Sequence, residues 1–384
     1  MRFARDSGVY EVRADGQVNR YQLFVERTIA LSRSGGRLGL VLPSGALSDA
    51  GSAALRRLLF SRCAVERVVG FDNRAGTFPI HRGVKFVLVS ATAGSATREA
   101  WCRFGETDPA GLATAAADTG PEPAWFPLRI TPALLEKVSG AHLSVPDLRT
   151  TTDLAILERA AHLFAPLGSA TGWQARFGRE LNATEDRGLL RGDRPGYPVL
   201  EGKLLDPFRA RPDDARWRIS PEDAQARLGS RVLHPRLAYR DVASATNRVT
   251  LIAALLPAHS ASTHTLFCLK TPMPLDDQHL LCAFFNSLVV NFLVRQRVST
   301  HVTTALVEQL PIPLVHDAGP WADELSVSAR RLADHDDAQR VARLNAVVAR
   351  LYRLSVEEFT HVLGTFPLID RTERESMLAA FRRL

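Results

Sequence analysis

Apolar positions along this chain fall into short bursts and helical stripes. Tyr21, Phe24, Val25 and Ile29 recur at helical spacing and predict a helix over Tyr21–Ser32. Gly35 and Gly36 follow, where a helix end calls for positive φ. Leu38–Leu42 is then an apolar burst of strand length closed by Pro43 and Gly45, which predicts a short buried strand. A helix over Ala53–Leu59, a strand over Val65–Phe71, a polar loop over Asp72–Gly83 and a strand over Val84–Ala91 continue the pattern. Val84 to Val89 is apolar on both faces, as expected of a central strand, and its distance from the preceding strand suits a hairpin or a short crossover.

The pattern weakens over Ala93–Pro127, rich in Ala, Gly, Thr and Pro with Trp101 and Trp125 as isolated anchors, and predicts a surface excursion. Thr150–Thr152 offer caps for a helix over Asp153–Leu163, and a domain boundary is expected near residue 150. Beyond it, Tyr197–Leu200, Val232–Leu233, Leu237–Tyr239, Val249–Leu255 and Thr265–Leu269 are strand-like pieces separated by turn chemistry. A helix over Asp277–Arg297 is expected to place its apolar half in the core and its charged end, Arg295 to Arg297, at a groove. From Trp321 onward the pattern is helical, with a Ser355/Glu358 capping box, a stop at Gly364 and Asp370 as cap of the last helix. The expected division is 1–150, an α/β module over 151–315, and a helical segment over 316–384.

Composition narrows this picture only slightly. At 384 residues and 46% hydrophobic, the chain can bury real cores in two or three domains. It has no run of about 18 apolar residues and no apolar stretch at Met1–Asp6, so neither a membrane span nor secretion is expected, and the expected compartment is cytoplasmic. Cys63, Cys102, Cys268 and Cys282 lie far apart, which suits reduced buried thiols. The net charge of +7 is compatible with nucleic acid, and of the 48 basic residues only Lys85, Lys137, Lys203 and Lys270 are lysines. An arginine bias of this kind suits phosphate and guanine forks, but a GC-rich coding sequence produces it too.

No complete active site is visible. His81, His234 and His301 lack the spaced partners of a metal site, so no metal is expected. Ser44-Gly45 and Ser48-Asp49 do not form a nucleophile elbow, and no Gly-x-Gly occurs, which argues against a self-contained nucleotide cradle.

Several phrases nevertheless fall into one order. Tyr21–Arg27, Gly35–Ser44, Leu55–Leu59, Val69–Asn73 and Phe78 resemble the second half of the adenine-specific DNA methyltransferase domain, above all that of type IIG restriction-modification enzymes and their phage-defence relatives. Tyr197–Lys203, Ala238–Val242 with Thr246–Ala254, Phe285-Asn286-Ser287 and Glu308–Pro313 are similar to the target recognition domain of those enzymes. Leu351–Ser355 and Gly364–Pro367 resemble their tail.

The resemblance implies an α/β fold: an incomplete class I, Rossmann-like methyltransferase sheet (strands five to seven), an α/β target recognition domain and a helical tail. It implies methyl transfer from S-adenosylmethionine to the adenine amine on double-stranded DNA. The family's donor loop and its Asx-Pro-Pro-aromatic tetrapeptide are absent here, so no catalytic or cofactor-binding residue is assigned. The chain is expected to need an upstream subunit or N-terminal methylase half holding most of the cofactor, with an unpaired edge at Leu38–Leu42. A non-catalytic DNA-specificity subunit and an inactive gene remnant are the alternatives. Expected DNA contacts are Lys203, Arg240, Asn247, Arg248, Arg295, Arg297, His301, Thr303 and Thr304, as phosphate or base-edge donors in loops or at helix ends.

Overall fold

The computed structural model describes residues 8–10, 19–118, 120, 122–192, 195–243, 246–298 and 301–384. They fold into two compact units, divided between Glu158 and Arg159.

In the first unit α1 (Arg20–Leu31) leads into β1 (Arg37–Pro43), α2 (Ala53–Arg62), β2 (Cys63–Asp72) and β3 (Lys85–Ala93). Gly35 turns between helix and strand at φ 78°, while Gly36 stays at ordinary dihedrals. The chain order becomes the sheet order β1-β3-β2: β3 lies antiparallel between the other two, with Leu40 opposite Val89 and Val69 opposite Leu88. A hairpin is the direct solution for two apolar strands joined by a polar loop, and it gives β3 the central place that its two apolar faces require.

β1 differs from the buried strand expected. Leu38, Leu40 and Leu42 are buried, whereas Val41 on the other face is 58% exposed. Among the described residues β1 pairs with β3 alone, so its other edge is open.

The stretch 93–127 is not a surface excursion. It contains β4 (Ala100–Glu106), which runs parallel to β2, and α3 (Gly111–Ala117), and it leads to β5 (Leu128–Ile130). Phe126 and Ala115 pack with Val69, Phe71 and Phe86. Only Cys102 in Trp-Cys-Arg-Phe is fully buried, so no period-2 signal stands out from the Ala- and Thr-rich flanks. The unit continues through α4 (Pro132–Ser139). It ends in α5 (Thr151–Leu163), whose start is closed by reciprocal bonds: the Asp153 amide donates to Thr150 Oγ1 at 3.1 Å and the Thr150 amide to Asp153 Oδ2 at 2.9 Å.

The second unit is mixed α/β. Its short strands are β6 (Phe177–Gly178), β7 (Tyr197–Leu200), β8 (Leu205–Asp206), β9 (Arg209–Ala210) and β10 (Trp217–Ile219); α6 (Pro221–Leu228) then precedes β11 (Arg236–Arg240), β12 (Ala253–Leu256), β13 (Ala261–Ser262) and β14 (Leu266–Leu269). They form sheets ordered β12-β11-β14-β6 and β10-β7-β13, with β8 and β9 as a two-stranded ribbon. Val232–Leu233 belongs to a 3-10 turn rather than a strand, and the strand expected over Val249–Leu255 is regular only from Ala253.

The single helix expected over Asp277–Arg297 is two: α7 (Leu275–Asn286) and α8 (Leu288–Arg295), bent by 61° at Ser287. Ser287 starts the second helix, its Oγ accepting the Val290 amide at 3.3 Å. The apolar surface does not end halfway; Leu288 to Val294 is buried throughout. The amides of Asn286 and Asn291 replace missing ladder bonds beside β12. Asn291 Oδ1 accepts from the Thr250 and Leu251 amides at 2.8 and 2.7 Å, and Asn286 bonds both main-chain groups of Ala253. No single helix among the described residues is long and apolar enough to cross a membrane.

After α9 (Thr304–Glu308), the tail forms α10 (Trp321–Asp334), α11 (Ala338–Leu351), α12 (Val356–Gly364) and α13 (Arg371–Arg382). Its alternating charge covers a real core, with Leu344, Val347, Val348, Phe359 and Phe381 buried on the inner faces. Ser355 and Glu358 form the expected capping box, whereas Asp370 stands at the cap position of α13 without a side-chain cap bond.

Candidate nucleic-acid interface

The nine expected DNA contacts all lie in the second unit, where two small groups of them stand out. Lys203 and Arg240 line a cleft of about 330 Å³ together with Glu201, Gly202, Val242 and Thr265. The β11 register brings Arg240 there as the last residue of the strand, and the 3-10 turn Gly202–Leu204 carries Lys203. Gly202 donates its amide to Thr265 Oγ1 at 2.8 Å, which holds the turn against the start of β14.

Lys203 Nζ is paired with Glu201 at 2.9 Å while its side chain stays 68% exposed. Arg240 is half-buried: Nη2 donates to the Leu205 carbonyl and lies 3.4 Å from Asp206, and Nε has no hydrogen-bond partner. Burial pulls the Arg240 pKa below its ordinary value; Asp206 opposes this and Arg211 adds to it.

The His301 backbone bridges Val242, one of the residues lining this cleft. Its Nδ1 lies 3.1 Å from Asp241 Oδ1. Thr303 turns its side chain back to cap α9, accepting the Leu306 amide at 3.3 Å, and Thr304 is the half-buried first residue of that helix.

Asn247, Arg248 and Arg295 form the other group. The Arg295 guanidinium donates to the carbonyls of Asn247, Arg248 and Thr365 and to Thr250 Oγ1, and it stacks 3.9 Å from the Phe366 ring. Each of its three nitrogens therefore has a protein acceptor. Burial pulls its pKa down to about 10, so it remains charged at neutral pH. Arg248 pairs with Glu373 at 2.6 Å, and the Asn247 side chain is exposed in a turn. Arg297 is partly buried, burial pulls its pKa down to about 10 as well, and no side-chain acceptor reaches it among the described residues.

One cation that the sequence reading passed over stands beside the first group. Arg179 follows directly on β6, its Nη2 lies 3.0 Å from Asp241 Oδ2, and its guanidinium packs 5.1 Å from the Phe267 ring. It also lines a larger cleft of about 570 Å³ with Asn182, Thr184, Arg227 and His264. Its neighbours in sequence, Gly178 and Glu180, gave no hint of a long-range partner 62 positions away. Among the described residues no group of three His, Cys, Asp or Glu is placed to hold a metal ion.

Residues 3–78 match the family model of the Eco57I restriction-modification methylase. Over these residues the match agrees with the resemblance to a restriction-modification methylase drawn from the sequence. No curated protein matches the chain.

Among solved structures, the chain is similar to the type IIG restriction endonuclease BpuSI, with 14% identity, a TM-score of 0.39, and 96% of this chain and 50% of that chain covered. It is similar to the type IIL restriction-modification enzyme MmeI in complex with DNA, at 10% identity and TM-score 0.45, covering 94% and 48% of the two chains. A chain of a type I restriction-modification system matches at 21% identity and TM-score 0.28 over 36% of this chain and 33% of that one. The chain thus spans about half the length of the first two and a third of the last.

Proposed function

We propose that the chain is part of a site-specific adenine DNA methyltransferase serving restriction-modification or phage defence in the cytoplasm. In this reading the methyl group passes from S-adenosylmethionine to the adenine exocyclic amine of double-stranded DNA. Residues 1–150 complete the methyltransferase domain, 151–315 recognise the target, and 316–384 support the recognition module. The observation that carries the reading is the family match over residues 3–78, which covers the same strand-and-helix order that the resemblance assigned to the back half of a methylase domain.

The residues present do not fit a complete donor cradle. The chain has no Gly-x-Gly and no Pro-Pro-aromatic segment, and β1 offers an open edge among the described residues. We assign the cofactor mainly to the part of the sheet that would pair with that edge, an N-terminal methylase half or a separate subunit. An open apolar strand edge is an association surface, which supports this assignment.

For DNA, Lys203 and Arg240 line one cleft, the His301 backbone bridges the cleft residue Val242, and Arg297 adds a guanidinium without a protein acceptor among the described residues. Asn247, Arg248, Thr303 and Thr304 are proposed as flanking contacts, with Arg295 acting through the loop it holds. The missing donor loop also favours one alternative, a specificity subunit that binds DNA and performs no chemistry.

The test is binding of the full chain to labelled duplex across a salt series. Retention with a steep salt slope supports recognition of DNA, and absence of binding at low salt sinks it. Calorimetry with S-adenosylmethionine separates the two halves of the proposal: tight binding by a monomer of this chain alone would overturn the need for a partner.

A further inference from the structure

Asp241 is a buried carboxylate flanked by the cleft residues Arg240 and Val242. Its side chain is 5% exposed. Its amide donates to the Thr265 carbonyl at 3.0 Å, and its carbonyl accepts from Val302 at 2.7 Å. Both carboxylate oxygens are occupied, Oδ2 by Arg179 Nη2 at 3.0 Å and Oδ1 by His301 Nδ1 at 3.1 Å. The two groups it grips come from distant segments and are themselves half in solvent, 52% and 53% exposed. A buried, immobile acceptor thus aims two accessible side chains.

Charge decides what such a device suits. Arg179 and the Asp241 carboxylate it pairs with offset each other's charge, so the pair's pull on a phosphate is largely cancelled. What remains is geometry. Arg179 is braced at Nη2 and packed against Phe267, and among the described residues no acceptor reaches its Nε or Nη1. A phosphate contact needs only a cation, whereas a fixed planar fork matches the paired acceptors O6 and N7 of guanine in the major groove. A carboxylate only accepts, so His301 donates to it from Nδ1 and turns its Nε2 edge away from Asp241.

We propose that Arg179, braced by Asp241, reads a guanine in the bound duplex, and that Asp241 is the positioning residue that aims both Arg179 and His301. The inference rests on the DNA-recognition reading above and names one base of its target.

The experiment is selection of the full chain on a random duplex library, followed by affinity measurements on the winning site and on unselected duplex. The wild-type chain is expected to enrich a motif containing an invariant guanine. Arg179→Lys, which keeps the charge and loses the fork, should reduce preference for that guanine by about tenfold. Its affinity for unselected duplex should stay within about twofold, because the charge that attracts the backbone is kept. Arg179→Ala should show the same lost column, and Asp241→Asn should blur it while leaving unselected binding in place.

A lysine variant that keeps every column overturns the guanine assignment and leaves DNA recognition standing. So does an alanine variant that weakens all sequences equally, since that is the behaviour of a phosphate contact. If Asp241→Asn lowers all binding together with thermal stability, the aspartate is structural and its aiming role falls. If the wild-type chain enriches nothing and retains no duplex, both the inference and the reading it rests on fall.

Discussion

Arg295 and Arg179 each sit where a regular element gives way to a loop, and each packs on an aromatic ring, Phe366 and Phe267. Their surroundings differ in the supply of fixed acceptors. Around Arg295, the carbonyls of Asn247, Arg248 and Thr365 and the Thr250 hydroxyl take donors from all three nitrogens. Around Arg179, a single carboxylate takes one nitrogen and leaves the rest of the fork open. The first is a fastener between a loop and the tail, and the second is a presented group. An arginine's role is set by how many acceptors the fold has already aimed at it.

The contrast can be broken or sharpened by substitution. The largest effect is expected at the extreme of the fastened class, Arg236, which is 5% exposed and forms a two-pronged pair with the fully buried Glu180 at 2.6 and 2.8 Å. Glu180→Leu leaves that guanidinium buried without its partner and should cost about 3–5 kcal/mol in denaturant unfolding. Wild-type-like stability would show that the pair is solvated.

The same pair makes a pH prediction. Burial raises the Glu180 pKa, but the hydrogen bonds and charge of Arg236, aided by Lys270 and Ser262, outweigh it and leave the value lowered. A depressed folded pKa contributes stability that is complete above the unfolded value and is lost as pH falls through the folded one. An acid titration of stability should therefore lose a component below pH about 4.5 that is missing in Glu180→Gln.

Arg295→Ala comes next. It should cost about 2 kcal/mol or more from its charged hydrogen bonds and leave the salt slope of DNA binding unchanged. A slope reduced without loss of stability would move Arg295 into the presented class. Arg297→Ala is expected to do the reverse, changing stability by less than about 1 kcal/mol and reducing the salt slope by about one. Lys203→Ala should have the smallest effect, a uniform weakening across sequences with stability within about 0.5 kcal/mol. Loss of sequence preference there would make Lys203 a base contact.

The sequence showed best where period and punctuation agree. Tyr21–Ser32, Leu38–Leu42 and Tyr197–Leu200 each carry a clean pattern between breakers and end within a residue of their structural limits. It misled where one texture covered two elements. The apolar run through Leu280 to Val294 hid the bend at Ser287, because both helices are buried on nearly every side and no polar face marks the change. β4 was hidden for the opposite reason, a strand with few buried side chains set among Ala and Gly. Lys203, Arg240 and His301 were visible as polar residues beside turn chemistry. Arg179 was not, because its significance comes from Asp241, a contact that only the folded chain makes.

The asparagine bonds beside β12 have one further consequence. On the strand side, Asn286 and Asn291 grip main-chain groups of Thr250, Leu251 and Ala253 and are indifferent to the side chains carried there. The latch therefore tolerates rewriting of the loop leading into it. The exposed side chains of Val242, Asn247 and Arg248 can be exchanged for others, by natural drift or in the laboratory, without releasing the sheet from the helices behind it, so new surface contacts can be tried on an unchanged frame.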